Sequence, residues 1–341
     1  MAEREEIAIN RALGALIGGA LGDAMGMPTQ LLSPAEIKAN YSFVDRFVDP
    51  APEHPVSKGL VAGTITDDTE QTLLLASVLL NSGQGFDHHA WVNALIRWEE
   101  DIKARGGYDL LGPSTKRAID AINAGTPPEE AGRSGETNGA AMRIAPVGIL
   151  EPPGDALIAR VAETCRATHN TTIAISSAAA VATVISHGVD GADWRTAIGH
   201  AVAAARAGER QGRWVPGGTV AARITWALDM VEGCSLDEGI GRVFDRLGTG
   251  VISQESVPAA FAVLTLAEGD AWKAAVIAAN LGGDTDTIGA IAGSMAGACT
   301  GYDSLPADRI SGLIGIDFDE VANLARTLVQ ARLSGGEARH G

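Results

Sequence analysis

The sequence predicts an all-α protein. Aromatic residues make up only 4% of its 341 residues, runs of β-branched residues are short, and alanine recurs at helical spacing through most of the length; each of these favours helix over sheet. With 46% hydrophobic residues the chain can bury a sizeable core.

The first helix is expected over about 5–22, because Ile9, Leu13, Leu16, Ile17, Ala20 and Leu21 share one face at 3.6-residue spacing. It should give way to a loop in "GDAMGMPTQ", punctuated by Gly and Pro. After the irregular "DPAPEHPVSKGLVAG", a second helix should start at Asp67, which has Glu70 three residues on, the spacing of a capping box. Apolar periodicity predicts further helices at about 89–104, 114–124, 155–167, 171–187, 192–207, 217–232, 236–246, 256–267, 270–280, 287–299 and 317–333. Short Gly or Pro breaks separate them, and the loops "GTPPEEAGRSGETNG" and "GERQGRWVPGG" are candidates to rim a pocket. No shift of composition marks a linker, so the expectation is one helical domain over 1–333 and a flexible polar tail over 334–341.

The formal net charge is −16 with Lys and Arg scattered, which argues against a nucleic-acid partner, since no basic stripe is available to neutralise phosphates. Cys165, Cys234 and Cys299 are odd in number and far apart, fitting neither a disulfide framework nor a zinc site, and so a reducing cytoplasm is the expected setting. The longest apolar runs, near 173–185 and 287–299, are shorter than the ~20 residues that cross a bilayer. No membrane partner is expected.

Two oxygen-rich clusters stand out. "TITDDT" supplies Thr66, Asp67, Asp68 and Thr69, and "GGDTDT" supplies Asp284, Thr285, Asp286 and Thr287, each at the start of a predicted helix. Helix capping is the plain explanation, but it needs only one such residue. Neighbouring carboxylates repel each other and resist desolvation unless a cation lies between them. With only carboxylate and hydroxyl donors, that cation should be hard, Mg²⁺ or Mn²⁺ before Ca²⁺, and four aspartates could hold two ions about 3.5–4 Å apart. Gly289, Gly293 and Gly297 recur every fourth residue behind the second cluster, leaving one helical face bare for close packing.

The segments "IGGALGDAMGMP", "TDDT", "GYDLLGPSTKRAI", "TNGAAMRIAPVGIL", "ATHN", "ESVPAAF" and "NLGGDTDTIGAIAGSMAGA" stand in the order seen in the ADP-ribosylglycohydrolase family, which the chain resembles over about residues 8–300. The resemblance implies a compact orthogonal multi-helix bundle, a binuclear Mg²⁺ or Mn²⁺ centre, and hydrolysis at the anomeric carbon of ribose. By motif, Thr66, Asp67, Asp68, Asp284, Asp286 and Thr287 look like metal ligands, with Asp68 and Asp284 also in catalytic roles. Asp109 resembles an acidic residue that some members place beside the attacking water, where it could accept a proton. Asn138, Gly139 and Ala140 resemble a loop whose backbone N–H groups face the ligand's phosphates and ribose, and His169 resembles a substrate-contacting histidine. Arg143 reads as one half of a structural ion pair, with a phosphate contact as the alternative.

One position departs from the family pattern. Many members carry a glutamate where this chain has Gln30, an amide that can bind substrate by hydrogen bonds but can neither carry charge nor act as a base. Three functions therefore stand open: hydrolysis of an ADP-ribosyl substrate, which could be carried on a protein; nucleoside-type N-glycosidase action on a small ribosyl metabolite; or binding of ADP-ribose without turnover.

Overall fold

The computed structural model describes residues 2–83, 85–104 and 112–340. In chain order its helices are α1 (Ala2–Gly26), α2 (Pro34–Tyr41), α3 (Asp67–Asn81), α4 (His88–Ala104), α5 (Pro113–Asn123), α6 (Pro128–Ala131), α7 (Gly139–Met142), α8 (Ala145–Leu150), α9 (Asp155–Cys165), α10 (Thr172–Val189), α11 (Trp194–Gly208), α12 (Val220–Val231), α13 (Leu236–Arg242), α14 (Ser253–Leu266), α15 (Ala271–Ala279), α16 (Thr285–Thr300), α17 (Ala307–Ile310) and α18 (Phe318–His340). The chain is 69% helical. Among the described residues there are no strands, only isolated bridges such as Thr137 with Ile252.

The centre of the molecule is the antiparallel pair α1 and α16. Gly14, Gly18 and Gly22 of α1 meet Gly297, Gly293 and Gly289 of α16, and one turn further Gly26 meets Asp286. At each of these positions an added Cβ would overlap the opposing backbone. Glycine every fourth residue places all four contacts on one face, so the backbones of the two helices touch along their length. Around this pair lie α10, α15 and α14, rich in Ala, Val and Ile and almost wholly buried. By length and composition α10 could span a membrane, but here 94% of it is buried inside the fold.

Several boundaries differ from the sequence reading, for identifiable reasons. The first helix does not stop at 22; it continues through "GDAMG", because Gly22 and Gly26 are contact positions and not breaks. The segment after it holds an unexpected helix, α2, which Ser33 and Glu36 close with a reciprocal capping box. At α3 the N-cap is Thr66 rather than Asp67, and Glu70 accepts from the Trp98 indole instead of capping. The last helix runs on to His340, through the segment expected to be a tail.

The glycine contacts make a paired prediction. Gly199 of α11 faces open space, so Gly199→Ala should raise stability by about 0.5–1 kcal/mol through helix propensity alone. Gly18→Ala should lower it by about 1–3 kcal/mol, because the new methyl has no room. Urea unfolding of both variants checks the opposite signs, and a stabilised Gly18→Ala would show that the two backbones are not in contact.

Candidate active site

The site begins with Asp23, in the last turn of α1. It is fully buried and accepts four hydrogen bonds, from the backbone N–H groups of Thr66 (2.9 Å) and Thr69 (3.1 Å) and from both their hydroxyls. A carboxylate from α1 thus caps α3, satisfying N–H groups that the helix leaves open. Neither Thr66 nor Asp284 makes a side-chain cap bond to its own helix. Capping therefore does not explain Thr66 or Asp284; in the second cluster Asp286 does accept from a first-turn N–H, that of Thr287 (3.0 Å).

At the other start, Thr285 of α16 donates to the Gly26 carbonyl (2.9 Å) and pairs with the Thr29 hydroxyl (3.0 Å). This fastens the end of α1 to the start of α16 and brings the clusters together. Thr287 donates to Asp68 Oδ2 at 3.3 Å. The Thr66 hydroxyl lies 3.4 Å from the same oxygen, but its single proton is better placed for Asp23 at 2.6 Å. Asp68 Oδ1 is buried and, among the described residues, has no hydrogen-bond partner. Asp284 accepts from the Asn138 amide, and Asp67 from Gln71 (3.3 Å).

A pocket of about 230 Å³ opens onto this cluster. Asp67, Asp284, Asp286 and Thr287 line it together with Gln71, Asn138 and Gly139, and the rest of the wall includes Gln30, Leu31, Val56, Pro113, Thr115 and Val251. Thr66, Asp68 and Ala140 are buried behind it. Asp109 lies outside the described residues. The N–H of Asn138 is already committed to the Val251 carbonyl (2.9 Å), so it is not one of the free backbone donors the sequence suggested.

His169 is corrected from substrate contact to support. It is buried, with Nε2 3.1 Å from the Thr137 hydroxyl and Nδ1 2.9 Å from that of Thr168. Its ring underlies Gly139, where a Cβ would come within 2.9 Å of it. Arg143 also differs from expectation: among the described residues it forms no ion pair, and instead donates to Gln71 (2.6 Å) and Thr168 (2.7 Å) with its guanidinium over the Trp91 ring. A buried cation is thereby tied through Gln71 to Asp67.

Burial raises every carboxyl of the cluster. Asp23 and Asp284 are pushed up to about 6 by desolvation, moderated by their hydrogen bonds. Asp67 is pushed to about 8 by desolvation and then by the charges of Asp23 and Asp284. Asp68 and Asp286 are raised well above the usual carboxylate range, by desolvation first and then by neighbouring aspartates. Among the described residues no three His, Cys, Asp or Glu side chains converge into a closed ligand set. Threonine hydroxyls would have to complete the shell around any ion. An oxygen-only donor set, an orphaned buried carboxylate oxygen and mutually repelling aspartates all suit a hard divalent cation.

With this geometry in view, the sequence comparisons are decisive: the profile of the ADP-ribosylglycohydrolases matches residues 4–337. The chain belongs to that family. It is 35% identical over 328 residues to the uncharacterized protein YegU of Escherichia coli, covering 94% of this chain and 98% of that one. With the ADP-ribosylarginine hydrolase Tri1 of Pseudomonas putida it shares 28% identity, over 89% of this chain and 74% of Tri1. A solved "ADP-ribosylglycohydrolase-related protein complex" superposes with a TM-score of 0.71 at 26% identity, covering 97% of this chain and all of the other. The all-α architecture is therefore that of the family, and membership in it supports a hydrolase.

Two site residues escaped the sequence reading. Asp23 was hidden inside what looked like a loop, although Gly14, Gly18, Gly22 and Gly26 repeat the fourfold spacing noted at Gly289, Gly293 and Gly297. Gln71 carried no signal beyond its place one turn after Asp67.

Carboxyls raised by folding bind protons more tightly in the folded than in the unfolded chain. Their contribution to stability is complete below the ordinary carboxyl range and is lost as pH rises through the folded values. In the presence of a chelator, the urea midpoint should fall as pH is raised from about 4, through the values near 6, to about 8. A flat or rising profile would mean that the cluster is not desolvated.

Proposed function

We propose that the protein hydrolyses the glycosidic bond at the anomeric carbon of ribose in an ADP-ribosyl substrate, with two Mg²⁺ or Mn²⁺ ions in the carboxylate cluster. The observation that carries this reading is the meeting of two helix starts at one pocket, with four buried aspartates and the half-buried Asp67 between them and, among the described residues, no partner for Asp68 Oδ1. Asp67, Asp68, Asp284 and Asp286 would hold the ions, with Thr66 and Thr287 adding hydroxyl oxygens. Bound there, the ions would supply the positive charge that allows the carboxylates to ionise, polarise ribose hydroxyls and acidify water.

The chain's own residues do the remaining work. Gln71, held by Arg143, keeps Asp67 turned to the pocket. Asn138 fixes Asp284 from beside it and, through Ser256 (3.0 Å), is itself fixed to α14. The ring of ionised aspartates stabilises positive charge as it develops at the anomeric carbon. Asp109, by its motif, accepts the proton of the attacking water. The name of Tri1 makes ADP-ribosylated arginine the first substrate to try. Gln30 favours a second reading, an ADP-ribose-binding protein without turnover, which release of ADP-ribose distinguishes directly.

Asp67→Ala and Asp286→Ala should each lower both Mg²⁺ affinity and ADP-ribose release by at least ~10–100-fold, the loss typical of residues that merely support a metal ligand. Calorimetric titration with Mg²⁺ and a release assay on an ADP-ribosylated arginine peptide, run beside free nucleosides, check this. Wild-type behaviour in either variant would remove the metal centre from the proposal. Elemental analysis that finds zinc or iron and no Mg²⁺ or Mn²⁺ would do the same.

A further inference from the structure

Gln30 is set by a chain of hydrogen bonds whose direction is forced. The Ser57 hydroxyl lies 2.8 Å from the Met27 carbonyl oxygen, and a carbonyl can only accept, so the single hydroxyl proton of Ser57 is spent there. Toward Gln30, 3.1 Å away, Ser57 can therefore only accept. The NH₂ end of the Gln30 amide must face Ser57. Its carbonyl end, Oε1, then points away from Ser57; Gln30 lines the pocket, and among the described residues Oε1 has no protein donor.

Ser57 is itself held firmly. It is fully buried, and its backbone N–H donates to His54 Nδ1 at 2.9 Å, with the N–H of Val56 at 3.3 Å from the same nitrogen. Gln30 is held by its backbone, since its own N–H donates to the Gly26 carbonyl (3.0 Å) and that of Leu31 reaches across to Gly283 (2.7 Å), beside Asp284. The amide thus has a fixed place between the end of α1 and the loop that starts α16.

We propose that Ser57 is a positioning residue that locks Gln30 with its amide carbonyl oxygen toward the pocket, so that this wall recognises a hydroxyl-bearing ligand, the ribose diol, through a neutral acceptor. The identity of the ligand rests on the hydrolase reading above. The direction of the amide does not. A glutamate at position 30 would set an oxygen against the accepting face of Ser57. Relieving that clash would turn the Ser57 proton away from Met27 and leave a buried carbonyl unpaired. Ser57 and Gln30 are therefore a matched pair, and the amide is a built feature of the site.

The test is a double-mutant cycle with ADP-ribose as the probe, in the presence of Mg²⁺, read by calorimetry. Ser57→Ala should weaken binding about 3–10-fold, the worth of one oriented neutral hydrogen bond. In a Gln30→Ala background the same change should have less than a 2-fold effect, because its role runs through Gln30. Equal losses in both backgrounds would show that Ser57 serves only the local backbone and would overturn the proposal. The second measurement needs no ligand: the Gln30 side-chain NH₂ signal in the ¹⁵N spectrum, identified by its loss in Gln30→Ala, should exchange slowly with water and lose that protection in Ser57→Ala. Unchanged exchange would equally overturn the proposal. Should the wild type bind no ADP-ribose while the NH₂ signal is protected as described, the hydrolase reading fails and the amide lock stands. If Ser57→Ala does not fold, Ser57→Cys keeps the volume while weakening the acceptor and reads the same coupling.

Discussion

Everything in the site depends on the absence of side chains between α1 and α16. Two helices ordinarily pack with axes about 8–10 Å apart; four glycines on one face and three on the other bring these two into backbone contact. That proximity lets Asp23, at the end of α1, reach the start of α3, and lets Gly26 accept from Thr285 at the start of α16. A wider separation would break both links. The two oxygen clusters would then belong to separate surfaces.

The aspartates carry the opposite tension. All but the half-buried Asp67 are buried, neighbouring charges raise the affinity of Asp67, Asp68 and Asp286 for protons, and among the described residues one oxygen has no partner. A fold selected for stability alone would have no use for such an arrangement, since apolar side chains of similar size would fill the space at lower cost. The surrounding polar groups limit the penalty without removing it. Asn138, Gln71, Thr66, Thr69 and Thr287 each donate to one carboxylate, and Arg143 contributes a single positive charge from behind the wall.

Helix content and the two clusters were legible because both depend on local rules: periodicity for the helices, and residue type at helix starts for the clusters. The same local rules misread "GDAMG". Glycine within a helical pattern signals a break unless a partner helix with matching bare positions is known, and that partner lies near the other end of the chain. His169 failed for a related reason. A histidine can face a ligand or support a loop, and only the neighbouring Thr137, Thr168 and the bare Cα of Gly139 decide which. Arg143 was expected to find a carboxylate, but the nearest acceptor in the fold is an amide, Gln71. The direction of Gln30 could not have been read from sequence, because it follows from where one proton of Ser57 goes.

The pairing of α1 with α16 also bears on how the protein comes into being. Gly18 and Gly293 are about 275 residues apart in the chain. At ~5–20 residues per second of synthesis, the first helix emerges tens of seconds before its partner exists. During that interval the glycine face of α1 has no partner helix, and Asp23, which can already meet Thr66 and Thr69, lacks the second cluster. The site therefore cannot be complete until nearly the whole chain has been made, since its second cluster lies on α16.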